Sequence, residues 1–105
     1  MFRITQHKGF QIKFANNVCV SVQWGPGNYC EHIHHPSYEA PARSEFWESE
    51  MAEIAVWIEG AVWGWITKEY PGSEDNEVMG YCSPDEVLSV LNWAAAYQPT
   101  VQEGE

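Results

Sequence analysis

The clearest order in the chain is an alternation near its start. Phe10, Ile12 and Phe14 alternate with Gln11 and Lys13, and Val18, Val20 and Val22 alternate with Cys19, Ser21 and Gln23. A period of two marks half-buried strands, because successive side chains point to opposite faces. Ala15-Asn16-Asn17 lies between the two runs. A two-residue turn at Asn16-Asn17 pairs Ala15 with Val18 and sends the two apolar sets to opposite faces. A three-residue loop pairs Phe14 with Val18, Ile12 with Val20 and Phe10 with Val22, so that all six share one face. A one-residue slip turns a whole apolar set outward, so the second register is expected. It puts Asn17 in the left-handed conformation that such loops require and that Asn tolerates. Phe2-Arg3-Ile4-Thr5 reads as a short edge strand.

A second hairpin is expected from residues 53–59 and 61–67, turning at Glu59-Gly60. Pairing Ile58 with Ala61 sets Val56 opposite Trp63 and Ile54 opposite Trp65. These six then face the core, and Trp57, Val62 and Ile66 face the other way. Apolar residues on both faces point to a central place in the sheet or to a covered face. Val78-Met79-Gly80-Tyr81 reads as a last short strand. Ser83-Pro84-Asp85-Glu86 is a helix start, with Ser at the N-cap, Pro at the first position and Glu three residues after the cap. Val87, Leu88, Leu91, Ala94 and Ala95 form its apolar stripe, and Pro99 ends it. The expected fold is α+β: an antiparallel sheet of four to six strands, including two hairpins, with one C-terminal helix packed on a face. It occupies residues 1–98 as a single domain, and residues 99–105 form a flexible acidic tail.

Composition supports a packed core, since 45% of the 105 residues are hydrophobic and six are Trp. No apolar run is long enough to span a bilayer, and Met1-Phe2-Arg3-Ile4-Thr5-Gln6-His7-Lys8 lacks the apolar centre of a signal peptide. A soluble cytoplasmic protein is expected. The three cysteines, Cys19, Cys30 and Cys82, are an odd count and read as free thiols of a reducing compartment.

Charge is unevenly placed. Residues 1–30 hold Arg3, Lys8 and Lys13 and no carboxylate, whereas residues 31–105 hold all 15 acids against Arg43 and Lys68, for a net charge of −10. Such a chain repels phosphate backbones, so direct nucleic-acid binding is not expected. It suits a basic partner, including the nucleic-acid groove of another protein. The plainer reading is that acidity serves solubility.

Candidate chemistry is concentrated after Val20-Ser21-Val22-Gln23-Trp24. Gly25-Pro26-Gly27 forms a bend that leads through Tyr29 into Cys30, His32, His34 and His35. Cys30, His32 and His34 share one face of an extended segment, and with Cys82, or else Cys19, as the fourth they make the candidate zinc or transition-metal ligands. The spacing matches no standard finger, and a polar loop with incidental histidines is the plain alternative. The bend can also expose backbone amides to an anion, with Trp24 and Tyr29 stacking a nucleotide, although the Lys and following helix of a phosphate-binding loop are missing. Trp63, Trp65 and Trp93 are expected in the core. Trp24, Tyr29, Trp47 and Trp57, together with Glu45, Glu48, Glu50 and Glu53, are expected to form an aromatic patch with an acidic rim, the composition of interface hot spots. No complete catalytic motif is present, and a non-enzymatic role is expected.

The strand and bend Val20-Ser21-Val22-Gln23-Trp24-Gly25-Pro26-Gly27-Asn28-Tyr29-Cys30 resembles a segment of small uncharacterised bacteriophage and prophage accessory proteins. The likeness continues at Ala52-Glu53-Ile54-Ala55-Val56-Trp57 and at Val78-Met79-Gly80-Tyr81-Cys82-Ser83-Pro84-Asp85-Glu86-Val87. It implies a protein that acts by binding in the host cytoplasm. The implied partner is a host protein with a basic nucleic-acid-binding surface, such as a defence nuclease complex of the CRISPR type, engaged by nucleic-acid mimicry. Direct nucleic-acid binding and membrane association are not expected, and a second copy of the chain is a further candidate partner. A metal-binding module and a nucleotide-sequestering protein are the alternatives.

Overall fold

A computed structural model describes residues 1–4, 9–24, 49–61 and 64–98. Among these residues, five strands form one open antiparallel sheet whose spatial order follows the chain: β1 (Phe2–Ile4), β2 (Gly9–Lys13), β3 (Val18–Gln23), β4 (Ala52–Ile58) and β5 (Met79–Cys82). One helix, α1 (Pro84–Ala96), follows, and the fold is α+β.

The first hairpin takes the three-residue register. Phe10 pairs with Val22 and Ile12 with Val20, and the Phe14 amide donates to the Val18 carbonyl at 3.0 Å. Asn17 has φ of 69°, the left-handed conformation the loop demands. On the next seam Val20 pairs with Val56 and Val22 with Ile54. Registers of even parity therefore carry one apolar face across β2, β3 and β4. Val18, Val20, Ile54 and Val56 are fully buried on it, and α1 lies over the β3–β4 part. β1 extends the sheet beyond β2, with Phe2 beside Ile12 and Ile4 beside Phe10.

Two sequence-based expectations are corrected. The chain after β4 turns at residues 58–61, where the Ala61 amide reaches the Ile58 carbonyl. It then pairs three positions later than expected. The Ile58 amide donates to the Gly64 carbonyl at 2.7 Å, and Trp65 bridges Trp57. An odd shift of register exchanges the faces. Trp65 is thus 61% exposed and Ile66 is buried, the reverse of the expectation. Gly64 permits this approach, because a Cβ there would lie 2.5 Å from the Ile58 carbonyl oxygen. Among the described residues, this segment forms the Trp57–Trp65 bridge and a 3-10 turn over Thr67–Glu69.

The second correction concerns α1. Val90 and Ala94 are buried, with Val87, Leu91, Trp93 and Tyr97 packed on the core, while Leu88 is 57% exposed. The buried stripe is rotated about one position from the expected one. The helix begins as expected: the Ser83 hydroxyl accepts from the Glu86 amide at 3.2 Å, and Pro84 opens the first turn. Its other end is held from a distance. The Asn16 side-chain amide donates to the carbonyls of Ala94 at 2.9 Å and Tyr97 at 2.8 Å, while its oxygen accepts from the Val18 amide. One side chain thereby closes the hairpin loop and ties it to the helix C-terminus, where the Ala94 carbonyl also accepts the Tyr97 amide at 3.2 Å.

Candidate functional site

The end of the sheet opposite the Asn16 tie holds an opening bordered by described residues. Val22 and Trp24 at the end of β3, residues 49–52 at the entry to β4, and Cys82, Pro84 and Val87 at the start of α1 line a cavity of about 430 Å³. The even-parity face that forms the core reaches this cavity through Val22, Ala52 and Cys82. The Trp24 ring packs edge-on against Phe10, with centroids 6.4 Å apart. Ser49 shapes the opposite wall: its hydroxyl donates to the Met51 carbonyl at 2.6 Å and accepts the Met51 amide at 3.1 Å. Glu50 and Met51 are exposed on this turn. The result is an apolar cleft with an indole on one side and a carboxylate at the rim.

The structure therefore brings Trp24, Glu50 and Cys82 to one cleft and places Trp57 elsewhere. Trp57 has odd parity and stands on the outward face of the sheet, its ring centroid 5.5 Å from that of Trp65. Of the other expected contact residues, Tyr29, Glu45, Trp47 and Glu48 lie outside the described residues. So do the Gly25-Pro26-Gly27 bend and Cys30, His32, His34 and His35.

Cys82, expected among the metal ligands, is buried in the core cluster. Its thiol points to the Met79 carbonyl at 3.7 Å. Burial first, then the nearby Glu86 carboxylate, pushes its pKa up to about 12. Among the described residues, no three or more His, Cys, Asp or Glu side chains are grouped to hold a metal ion. Cys19, on the outward face, is buried as well. It donates to Glu59 at 3.2 Å, and Arg3 reaches the same carboxylate at 3.3 Å. Burial first, then this carboxylate, raises the Cys19 pKa.

Sequence reasoning gave no place in a site to six residues that line the cleft: Val22, Ser49, Met51, Ala52, Pro84 and Val87. The helix-start signature at Ser83-Pro84 was the available signal, since it fixes where α1 meets the strand ends. Among the described residues, no helix is long and apolar enough to cross a membrane. Comparison of the chain with protein-family models, with curated proteins and with solved structures finds no match.

Proposed function

We propose that this chain is a binding protein of the phage accessory type, acting on a host protein that carries a basic nucleic-acid-binding surface. One observation carries the reading: a chain of net charge −10 has an apolar cleft bordered by Trp24 and Glu50. Apolar walls suit the methylene stem of an arginine or lysine. The indole face attracts the cationic head, and the carboxylate pairs with it. Residues 68–86 add six acids against Lys68, and Glu74, Asp75, Glu77 and Asp85 among them are exposed. Such a distribution speeds encounter with a basic surface and competes there with a phosphate backbone. The resemblance to phage accessory proteins directs the choice of partner toward defence nuclease complexes of the CRISPR type.

The test is a plaque assay in hosts whose CRISPR-type interference clears a targeted phage. Expression of the chain is expected to restore plating. Glu50→Lys is expected to reduce that rescue by tenfold or more while leaving the thermal melt unchanged, because Glu50 is exposed and loss of about 1.4 kcal/mol of binding is tenfold in affinity. Failure to protect phage against any such system, with the chain folded and abundant, overturns the proposal.

A further inference from the structure

We propose that β1 is the seam of a two-fold homodimer in which two sheets join edge to edge. β1 is an outer strand of the sheet, and its hydrogen-bonding phase can be read from its first residue. The Met1 amino group donates to the Lys13 carbonyl at 2.9 Å, and the Lys13 amide donates to the Met1 carbonyl at 2.8 Å. Met1 and Lys13 are therefore a hydrogen-bonded pair, and such pairs recur at every second residue of an antiparallel ladder. Arg3, opposite Gln11, is the next. The backbone N–H and C=O groups of Phe2 and Ile4 consequently point away from β2, toward the open edge.

The same two residues carry the most exposed large apolar side chains among the described residues, Phe2 at 78% and Ile4 at 84%. They stand on the core face, beside half-buried Ile12 and Phe10, beyond the part that α1 covers. An edge that offers both backbone groups and apolar side chains is a template for another strand.

The edge is complementary to itself. Antiparallel pairing about Arg3 sets Phe2 of one copy against Ile4 of the other, and Ile4 against Phe2. Both are hydrogen-bonded positions, so four backbone bonds close. Parity is preserved, and the four apolar side chains lie together on the core face. The side-chain pattern favours a second copy as the occupant, because pairing about Arg3 sets an apolar side chain against each of Phe2 and Ile4, and residues 1–30 hold no carboxylate, so the joined strands set no acid against acid. The two Arg3 side chains meet on the outward face. Each is already held by its own Gln11 at 3.1 Å and its own Glu59 at 3.3 Å, a carboxylate that Lys13 shares at 3.9 Å, so each Arg3 meets its copy partly neutralised.

Sedimentation velocity across the micromolar to millimolar range, with amide exchange read by NMR, tests the proposal. The expected result is a reversible dimer that Ile4→Lys converts to a monomer of unchanged circular dichroism. In the dimer the Phe2 and Ile4 amides exchange slowly. In the monomer they exchange fast, while Arg3, bonded within the chain, stays protected. A monomer throughout the range, a dimer that survives Ile4→Lys, or fast exchange at Phe2 and Ile4 within the dimer overturns it.

Discussion

Asn16 stands between the two largest pieces of secondary structure and belongs to neither. Its amide holds two carbonyls at the end of α1, and its oxygen closes the β2–β3 loop. Asn16→Ala removes those donors and is expected to cost about 1–2 kcal/mol. Asn16→Asp keeps the loop acceptor but turns a carboxylate toward helix carbonyls, and it is expected to cost more than Ala. Urea midpoints of the two variants check the order. Glu59 gives a pH signature. The Cys19 thiol that donates to it, then Arg3 and Lys13, hold its carboxyl below the ordinary 4.5. A depressed folded value favours the ionised form, so this contribution is complete above pH 4.5 and is lost as the pH falls through the lower folded value. Glu59→Gln is therefore expected to lower stability at neutral pH and to flatten the decline below pH 4.5, as followed by denaturation across that range. Asn17 was legible as a left-handed residue because the loop length required one. The second role of Asn16 was not, because its partners stand 78 and 81 residues away.

At the scale of the element, the two hairpins show what an apolar pattern can decide. In the first, the large apolar residues of both strands share one parity, and only one register keeps them together. Around β4 both parities carry apolar side chains, so parity selects nothing. Backbone contacts that leave no trace in the hydrophobic pattern decide instead. Gly64 allows its segment to lie against Ile58. Thr67 then completes the edge: the Val56 amide donates to its hydroxyl oxygen at 2.9 Å, and the hydroxyl donates back to the Val56 carbonyl at 3.2 Å. β4 thus shares one edge between β5, opposite Ala52 and Ile54, and residues 64–67, opposite its far half. Thr67→Val keeps the shape and removes both bonds at a buried site. It is expected to cost about 1–3 kcal/mol, and Thr67→Ser less, as thermal unfolding of the pair shows. The rotation of α1 has the same origin as the misplaced hairpin. Leu88 and Val90 are both apolar, and packing over β3 and β4 chose the stripe that includes Val90.

For the whole molecule, strand parity separates surfaces that composition merges. Trp24 and Trp57 read alike as aromatic residues near acids. Counting along β3 and β4 places Trp24 with the even-numbered core face and Trp57 with the odd-numbered outward face, so the expected patch becomes two surfaces. The cleft itself was only partly legible. Trp24 and Glu50 were identifiable as candidate contacts, but their meeting with Val87 depends on how α1 lies over β3 and β4, an arrangement between residues far apart in the chain.

The tie at Asn16 also gives the molecule a polarity. Met1 bonds Lys13 beside the β2–β3 loop, and Tyr97 bonds Asn16 within that loop. The first and the nearly last described residues therefore sit together at one pole, and the cleft opens at the other. An affinity handle or fluorophore attached through Met1 projects from the pole away from the cleft. A short linker from Tyr97 back to Met1 has little distance to cover. Such a circular permutant, opened between β4 and β5, would keep the cleft while changing which strands are made first.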